Sequence, residues 1–286
     1  MSNRGSITIG RIDYANAWPI FQNHESFIEQ ASYRTLKSVP SDLNAALRSG
    51  ELDVSAVSSF AYGEHSEDYV LLPDLSVSSK GKVHSILLFL KKPLSEVLSG
   101  TIALTSASAT SITLLKIIIS MYYGGNPVYK RAAPVLDEML ESADAALLIG
   151  DPAIRAYWQN KGYEVIDLGE LWHKWTGLGM TYAVVAVRRD AALAEPAAIA
   201  DVHQSLLAAK SYNLQHPELL AAKACAEIGG SPSYWNTYFN DLKYSFDTSQ
   251  QEGLALYFRY AKQLGLLERD VHMTFLEDQS ALQVNE

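Results

Sequence analysis

Cysteine is nearly absent from this chain of 286 residues, since Cys225 is the only one. A single thiol excludes an internal disulfide and any zinc site built from cysteines. Cys225 falls inside a predicted helix, residues 219–228, which is typical of a small buried side chain rather than a reactive one.

The chain also lacks the short motifs of common catalytic and metal sites. None of its seven histidines stands at a metal-binding spacing such as HExxH, and no cluster of Asp, Glu and His indicates a metal. No GxSxG turn marks a serine hydrolase. Gly124-Gly125 ends a predicted helix instead of opening one, so a glycine-rich phosphate loop is missing too. We therefore expect neither a metal nor a cofactor.

Long apolar runs are missing as well. The most apolar stretches, residues 83–90 and 112–123, are shorter than the roughly 20 residues of a membrane span, and the N-terminus has no apolar export segment. The net charge is −9 and the 23 Lys and Arg residues are scattered, which argues against a nucleic-acid or membrane partner. We predict a cytoplasmic protein and leave its oligomeric state open.

What the sequence does contain is an alternation of strands and helices, which is typical of an α/β protein with mostly parallel sheets. Predicted strands cover residues 8–12, 52–57, 69–75, 83–90, 101–104, 144–149, 165–168 and 182–187. Predicted helices cover residues 20–27, 41–49, 112–123 and 153–158, and then 197–214, 219–228, 234–242 and 250–266. The apolar fraction of 48% suffices for one or two cores.

Polar side chains occupy four turns at the carboxyl ends of predicted strands, where ligands bind in such sheets. The turns are Tyr14-Ala15-Asn16, Ser58-Ser59, Ser108-Ala109-Thr110-Ser111 and Gly150-Asp151. The third turn is suited to an anion, because its three hydroxyls and the first N–H groups of the next helix point the same way.

Each of these residues also has a purely structural interpretation. Ser108 or Thr110 can simply cap the helix that follows, as Ser41 is predicted to cap residues 41–49. Asn16 can cap the helix after Pro19, and Asp151 can cap the one that Pro152 begins. Trp18 can equally line a site or belong to the core. His84, on an apolar strand, favours a buried core imidazole.

The ordered set of segments resembles the chorismate dehydratases of the futalosine route to menaquinone. The family's opening S-Y-L-N-x-x-P-L stands here as Asp13-Tyr14-Ala15-Asn16-Ala17-Trp18-Pro19-Ile20. The further matching blocks lie at residues 40–54, 79–89, 108–111, 145–153 and 167–178. The chain departs from the family at Ala109, where Arg is usual, and at Gly179-Met180, where Pro and an aromatic residue are usual.

The resemblance implies a two-lobed, periplasmic-binding-protein-like (type II) fold with mixed, mostly parallel sheets and a helical C-terminal region. Residues 1–92 plus 187–286 would form the first lobe and residues 93–186 the second, with a ligand cleft between them. One wall of the cleft would carry Asn16, Ser58 and Ser85. The other would carry Ser108, Thr110, Ser111 and Asp151.

The resemblance also implies an activity, that of a carbon–oxygen lyase (hydro-lyase) that converts chorismate to 3-[(1-carboxyvinyl)oxy]benzoate and water. The substrate is a small dianion whose own side-chain carboxylate would act as the base. Asn16 would be the catalytic residue, orienting the substrate or bonding the leaving hydroxyl. The other seven site residues bind the substrate: Tyr14, Ser58, Ser85, Ser108, Thr110, Ser111 and Asp151.

Two other functions stay open at this point. One is a non-catalytic cytosolic binding protein for a small anionic metabolite, because the same fold serves solute receptors. The other is a sister enzyme of the same route, of the 1,4-dihydroxy-6-naphthoate synthase type. Its opening motif differs from Tyr14-Ala15-Asn16.

Overall fold

The computed structural model describes residues 6–28, 32–105 and 108–276. Its strands are β1 (Ile7–Ile12), β2 (Tyr33–Ser38), β3 (Val54–Ser58), β4 (Tyr69–Ser79), β5 (Ile86–Leu90), β6 (Thr101–Thr105), β7 (Val128–Ala132), β8 (Ala145–Ile149), β9 (Glu164–Asp167), β10 (Met180–Arg188) and β11 (Leu242–Lys243). Strand β5 is buried on both faces, as its continuous apolar sequence predicts.

The helices alternate with these strands up to β10 and dominate the chain after it. They are α1 (Trp18–Phe21), α2 (Pro40–Ser49), α3 (Ser59–Glu64), α4 (Leu94–Val97), α5 (Ala109–Ile117), α6 (Leu136–Glu141), α7 (Gly150–Trp158), α8 (Leu168–Thr176), α9 (Arg189–Ala194), α10 (Pro196–Gln215), α11 (Pro217–Glu227), α12 (Pro232–Asp241) and α13 (Thr248–Gln263). In the described part of the chain, no helix has the length and apolar character needed to cross a membrane.

Two mixed sheets organise these elements. One has the strand order β11-β4-β10-β3-β1-β2 and the other β7-β6-β8-β5-β9. Each sheet contains three neighbouring parallel strands, β3-β1-β2 in one and β7-β6-β8 in the other. The predicted α/β class with mixed sheets is confirmed. Antiparallel pairs take a larger share than predicted, because β5 and β10, the strands after each crossing between the sheets, run against their neighbours.

The chain crosses between the sheets at residues 80–85 and 177–179. Strand β5 therefore belongs to the five-stranded sheet and β10 to the six-stranded sheet. The predicted lobe boundaries, after residue 92 and after residue 186, lie beyond both crossings and do not coincide with the sheets. An apolar run predicts a buried strand, but it carries no information on which sheet the strand joins. The division into two lobes itself stays a prediction.

Asp167 anchors the first crossing. Its half-buried carboxylate accepts the backbone N–H groups of Val83 and His84, the latter at 2.7 Å. The same carboxylate caps helix α8 through the N–H groups of Gly169 and Glu170, at 2.9 and 3.0 Å. Burial raises the pKa of Asp167, against the opposing effect of these hydrogen bonds. One side chain thus fixes the crossing against the start of α8.

The predicted helix starts are partly right. Ser108, one of the two residues that the sequence offered as a cap, is the N-cap of α5, and its hydroxyl accepts the N–H of Ser111 at 3.4 Å. The predicted cap at Ser41 is wrong: α2 begins one residue earlier at Pro40, whose fixed φ suits a first helical turn. The helix expected over residues 20–27 is only the single turn α1, followed by a 3-10 segment, His24–Phe27.

The C-terminal helices cover the six-stranded sheet, with α10 against α1 and β4 and α13 against β10. Gly253 marks the closest approach of α13, since a Cβ atom built there would overlap the carbonyl oxygen of Gly179. Trp172 donates its indole N–H to the same carbonyl at 3.0 Å. The absence of a side chain at Gly253 is therefore a packing requirement.

Replacing Gly253 by Ala should destabilise the protein by about 1–3 kcal/mol, because the added methyl group meets backbone that cannot turn away. Urea unfolding followed by circular dichroism measures this change. The exposed neighbour Glu252, changed to Ala on the same helix, is the control and should stay within about 0.5 kcal/mol. Equal stability of the two variants would contradict the packing argument.

Candidate functional site

A small cavity lies between segments of the two sheets, at the ends of β1, β3 and β8 and the starts of α3, α5 and α7. Its lining residues are Ile12, Tyr14, Asn16, Pro40, Ser58, Ser85, Ile86, Ser108, Ser111, Ile149, Gly150, Tyr182 and Ala183. The cavity measures about 30 Å³, which is room for one or two water molecules. The described residues that line it carry no charged side chain.

Most of the residues predicted for the site meet at this cavity. Those that line it are Tyr14, Asn16, Ser58, Ser85, Ser108 and Ser111. The two exceptions are Thr110 and Asp151, which the structure places beside the cavity, in contacts between segments that follow strands of the two different sheets.

Asn16 lies on a 3-10 turn, Ala15–Ala17, between β1 and α1. The amide oxygen of its side chain is buried and has no hydrogen-bond partner among the described residues. Buried polar atoms are nearly always paired, because an unpaired one loses its bonds to water without replacement. The Asn16 oxygen is therefore available to a donor within the cavity.

Ser58 ends β3 and caps α3, where its hydroxyl oxygen accepts the N–H of Ala61 at 3.4 Å. The side-chain amide of Asn44 holds Ser58 from both sides, donating to its hydroxyl and accepting its backbone N–H, each at 3.1 Å. Because the Ser58 oxygen already accepts twice, its own proton is free to point to another acceptor. Sequence reasoning missed Asn44, which carries no signal beyond its place on α2.

Ser108 and Ser111 form a pair at the start of α5. Ser111 donates both its backbone N–H, at 3.4 Å, and its hydroxyl, at 3.3 Å, to the Ser108 oxygen. The Ser108 hydroxyl proton is left for a further acceptor, and the first turn of α5 adds the positive end of a helix dipole.

Gly150 begins α7 at the opposite edge of the cavity. Its φ of +62° is left-handed, and a Cβ atom built there would overlap the ring of Tyr14. Its N–H donates to the carbonyl oxygen of Ser85 at 2.7 Å. Only glycine satisfies both the backbone angle and the close approach.

Ser85 lies on the first crossing, just before β5, and is buried. Its hydroxyl donates to the carbonyl oxygen of Val83 at 3.2 Å. It also accepts the hydroxyl proton of Tyr238, on α12, at 3.2 Å. Sequence reasoning missed Tyr238, because the C-terminal region carries no motif that indicates a site.

Thr110 and Asp151 connect segments of the two sheets next to the cavity. The Thr110 hydroxyl oxygen accepts the N–H of Phe60, in the first turn of α3, at 3.0 Å. The Asp151 carboxylate, in the first turn of α7, accepts the N–H of Ala15 at 3.2 Å. These bonds hold the starts of α5 and α7 against the turns that carry Ser58 and Asn16.

Burial raises the pKa of Asp151 to about 6, although the N–H of Ala15 and the charge of Arg155 act in the opposite direction. Tyr14 lies close enough for the Asp151 charge to reinforce the rise that burial causes in the pKa of its phenol. A carboxyl group that titrates near pH 6 beside a cavity is a common feature of functional sites.

Two aromatic side chains of the predicted region lie outside the cavity. Trp18 is 3% exposed and belongs to the main core, and the ammonium group of Lys223 lies 4.7 Å from its ring centre. His84 is not a buried strand residue, contrary to prediction. It precedes β5 with a left-handed φ of +61°, and its Nε2 atom lies 2.6 Å from a carboxylate oxygen of Asp241.

Among the residues that the structure describes, no group of three or more His, Cys, Asp or Glu side chains is placed to hold a metal ion. Cys225 is a free thiol in α11 and half-buried, less enclosed than its sequence indicates.

Changing Asp151 to Asn should raise the melting temperature by clearly more at pH 8 than at pH 5, where only part of the cost of ionisation is present. The folded-state pKa of about 6 lies above the ordinary value of 3.8. Ionisation therefore costs the wild-type protein stability as the pH rises between these two values, and the full cost is present above pH 6. Thermal unfolding at both pH values measures the difference. An equal difference at pH 5 and pH 8 would contradict the argument.

Comparison with protein families matches residues 7–263 to the family described as menaquinone biosynthesis. A curated relative from Thermus thermophilus, named chorismate dehydratase, is 34% identical over 273 residues, which covers 90% of this chain and 95% of that protein.

Solved structures support the fold alone, because their sequences are distant. A protein from Archaeoglobus fulgidus has a TM-score of 0.74 at 18% identity, covering 93% of this chain and 100% of its own. The periplasmic aliphatic sulphonate binding protein of Escherichia coli has a TM-score of 0.67 at 14% identity, covering 93% of this chain and 94% of its own. The predicted periplasmic-binding-protein fold is confirmed.

Proposed function

The chain belongs to the menaquinone-biosynthesis family, and from that premise we propose that it is a hydro-lyase that converts chorismate to 3-[(1-carboxyvinyl)oxy]benzoate and water. The relative named chorismate dehydratase, similar along most of both chains, supports this substrate. The uncharged cavity with several hydroxyl donors supports a small anionic ligand.

The reaction breaks one C–H bond and one C–O bond of the substrate. The ring carbon that bears the enolpyruvyl ether loses its proton, and the electron pair spreads through the ring to the ring carboxylate. The hydroxyl on the neighbouring carbon then leaves and takes up the proton as water, which makes the ring aromatic. We propose that the substrate's own side-chain carboxylate carries the proton between these two steps, so that the protein supplies no base.

The protein's part in this reaction is to position the substrate and to stabilise the negative charge that develops on it. Hydroxyl donors of Ser58, Ser85 and Ser108 and the start of α5 face the cavity and can bond the two carboxylates. Fixed neutral donors stabilise a growing negative charge without reorganising during the reaction. Holding the side-chain carboxylate of the substrate close to the ring proton raises the rate further.

The observation that carries the proposal is the unpartnered amide oxygen of Asn16 in the cavity. An acceptor at this position can hold the proton of the substrate hydroxyl and orient that group for departure. The Asn16 side-chain N–H₂ can donate to the same substrate. We therefore propose Asn16 as the catalytic residue.

A cavity of about 30 Å³ is too small for chorismate, so we propose that the two halves open along the crossings at residues 80–85 and 177–179 to admit it. The bonds from Ala15 to Asp151 and from Phe60 to Thr110 would break and re-form in each cycle. Closure then excludes water from the reaction. We propose two lobes whose boundaries follow these crossings; the cytoplasmic location stays a prediction.

Incubation of the purified protein with chorismate tests the proposal. We expect an aromatic product, followed by ultraviolet absorbance and identified by mass as substrate minus one water. Treatment with a chelator should leave the rate unchanged. Tight binding of chorismate without product would instead identify a non-catalytic binding protein, and neither binding nor product would exclude both.

Replacing Asn16 by Ala should lower kcat by at least about 100-fold, because the leaving hydroxyl loses its orienting partner. Stability should stay within about 1 kcal/mol of wild type, since the Asn16 amide oxygen makes no hydrogen bond with the described residues. Steady-state kinetics and urea unfolding measure the two quantities. Unchanged turnover in a folded variant would remove Asn16 from the mechanism.

Replacing Ser111 by Ala should act mainly on binding and raise KM by about three- to tenfold, the cost of the one neutral hydrogen bond by which its hydroxyl holds Ser108. Its hydroxyl lies at the cavity edge and bonds Ser108. The same steady-state assay measures KM and kcat separately. A large fall in kcat with an unchanged KM would contradict a role limited to binding.

A further inference from the structure

Helix α12 contacts the first crossing, residues 80–85, at the two neighbouring residues His84 and Ser85. At its C-terminal end, Asp241 lies 2.6 Å from Nε2 of His84. One turn earlier, Tyr238 donates its hydroxyl proton to the Ser85 oxygen at 3.2 Å. The side chains of Tyr238 and Ser85 are each 1% exposed. Ser85 lines the cavity and Tyr238 does not, so Tyr238 contacts Ser85 from outside the cavity lining.

The direction of this hydrogen bond decides what Ser85 can do. A serine hydroxyl has one proton and two lone pairs. Ser85 is the single hydrogen-bond partner of the buried Tyr238 hydroxyl among the described residues, so the phenol proton is donated to the Ser85 oxygen. Burial raises the pKa of Tyr238 far above its ordinary value, so the phenol keeps this proton. The Ser85 proton cannot then point back at Tyr238, and it has two remaining directions, the carbonyl oxygen of Val83 or the cavity.

We infer that Tyr238 is a positioning residue that makes Ser85 a hydrogen-bond donor toward an anionic substrate. This inference rests on the proposed function and extends it to a residue of the C-terminal region. In the present structure the Ser85 hydroxyl donates to the Val83 carbonyl, at 3.2 Å. A carboxylate in the cavity is a stronger acceptor than a neutral carbonyl, so the proton turns to the substrate when it binds.

The arrangement also favours an acceptor on the ligand at this point. With one lone pair accepting from Tyr238, Ser85 keeps its proton to offer to the ligand. A carboxylate is the kind of acceptor that this proton binds most strongly. The hydrogen bond from Tyr238 also polarises the Ser85 hydroxyl, which strengthens its own donation.

A double-mutant cycle on chorismate turnover tests the inference. Tyr238→Phe removes only the donor, and we expect it to raise KM by about three- to tenfold with a smaller change in kcat. Ser85→Ala should raise KM by at least as much. In the Ser85→Ala background, Tyr238→Phe should change KM by less than about twofold, because its single partner in the site is gone.

Tyr244→Phe is the matched control. Tyr244 is another buried tyrosine, and its hydroxyl has no hydrogen-bond partner among the described residues. Removing that hydroxyl should leave KM within about twofold of wild type. Should Tyr238→Phe fail to fold, Tyr238→3-fluorotyrosine keeps the shape and makes the phenol a stronger donor. It should lower KM.

The outcomes separate this inference from the proposed function. Turnover of chorismate by wild type with an unchanged KM in Tyr238→Phe overturns the inference and leaves the proposed function standing. An effect of Tyr238→Phe that is equally large in the Ser85→Ala background overturns it as well. If wild type binds chorismate without converting it, the proposed function fails, and the same cycle on Kd decides the inference. Absence of both binding and turnover overturns both.

Discussion

The position of the site depends on how Asp167 holds the first crossing. Its carboxylate binds two N–H groups of the crossing and two of the first turn of α8. A buried carboxylate is costly to desolvate, and these four donors offset that cost only while the crossing and α8 stay in contact. Ser85 follows His84 directly in the chain, so its place at the cavity is set by the hydrogen bonds of Asp167 rather than by its own side chain.

The cavity shows a second constraint, which is the absence of charged side chains among the described residues that line it. Hydroxyls and helix starts supply directed donors instead. A cation would bind an anion tightly in the ground state as well as in the transition state, which lowers KM without raising kcat. Hydroxyl and N–H donors that helix caps and the backbone hold in place are oriented before negative charge develops on the substrate. Their limited number also limits how strongly the site binds the substrate in its ground state.

The residues beside the cavity divide into those that face it and those that hold it together. Thr110 and Asp151 look like ligand-binding residues in sequence, because they stand in the same turns as Ser108 and Gly150. In the structure the Thr110 oxygen accepts the N–H of Phe60 and the Asp151 oxygen accepts the N–H of Ala15, both in segments that follow strands of the other sheet. A hydroxyl or carboxylate in a helix's first turn can satisfy either purpose, and only its neighbours in space decide which.

The sequence by itself determined the α/β class, most helices and strands, and the turns that carry Tyr14, Asn16, Ser58, Ser108 and Ser111. Periodicity, caps and turn residues are local, so a linear chain displays them directly. The tertiary structure decided which sheet β5 and β10 join, and it brought Asn44 and Tyr238 to Ser58 and Ser85. Those contacts join residues up to 153 positions apart in the chain. No local pattern records them, because their energy arises only when the distant segments pack.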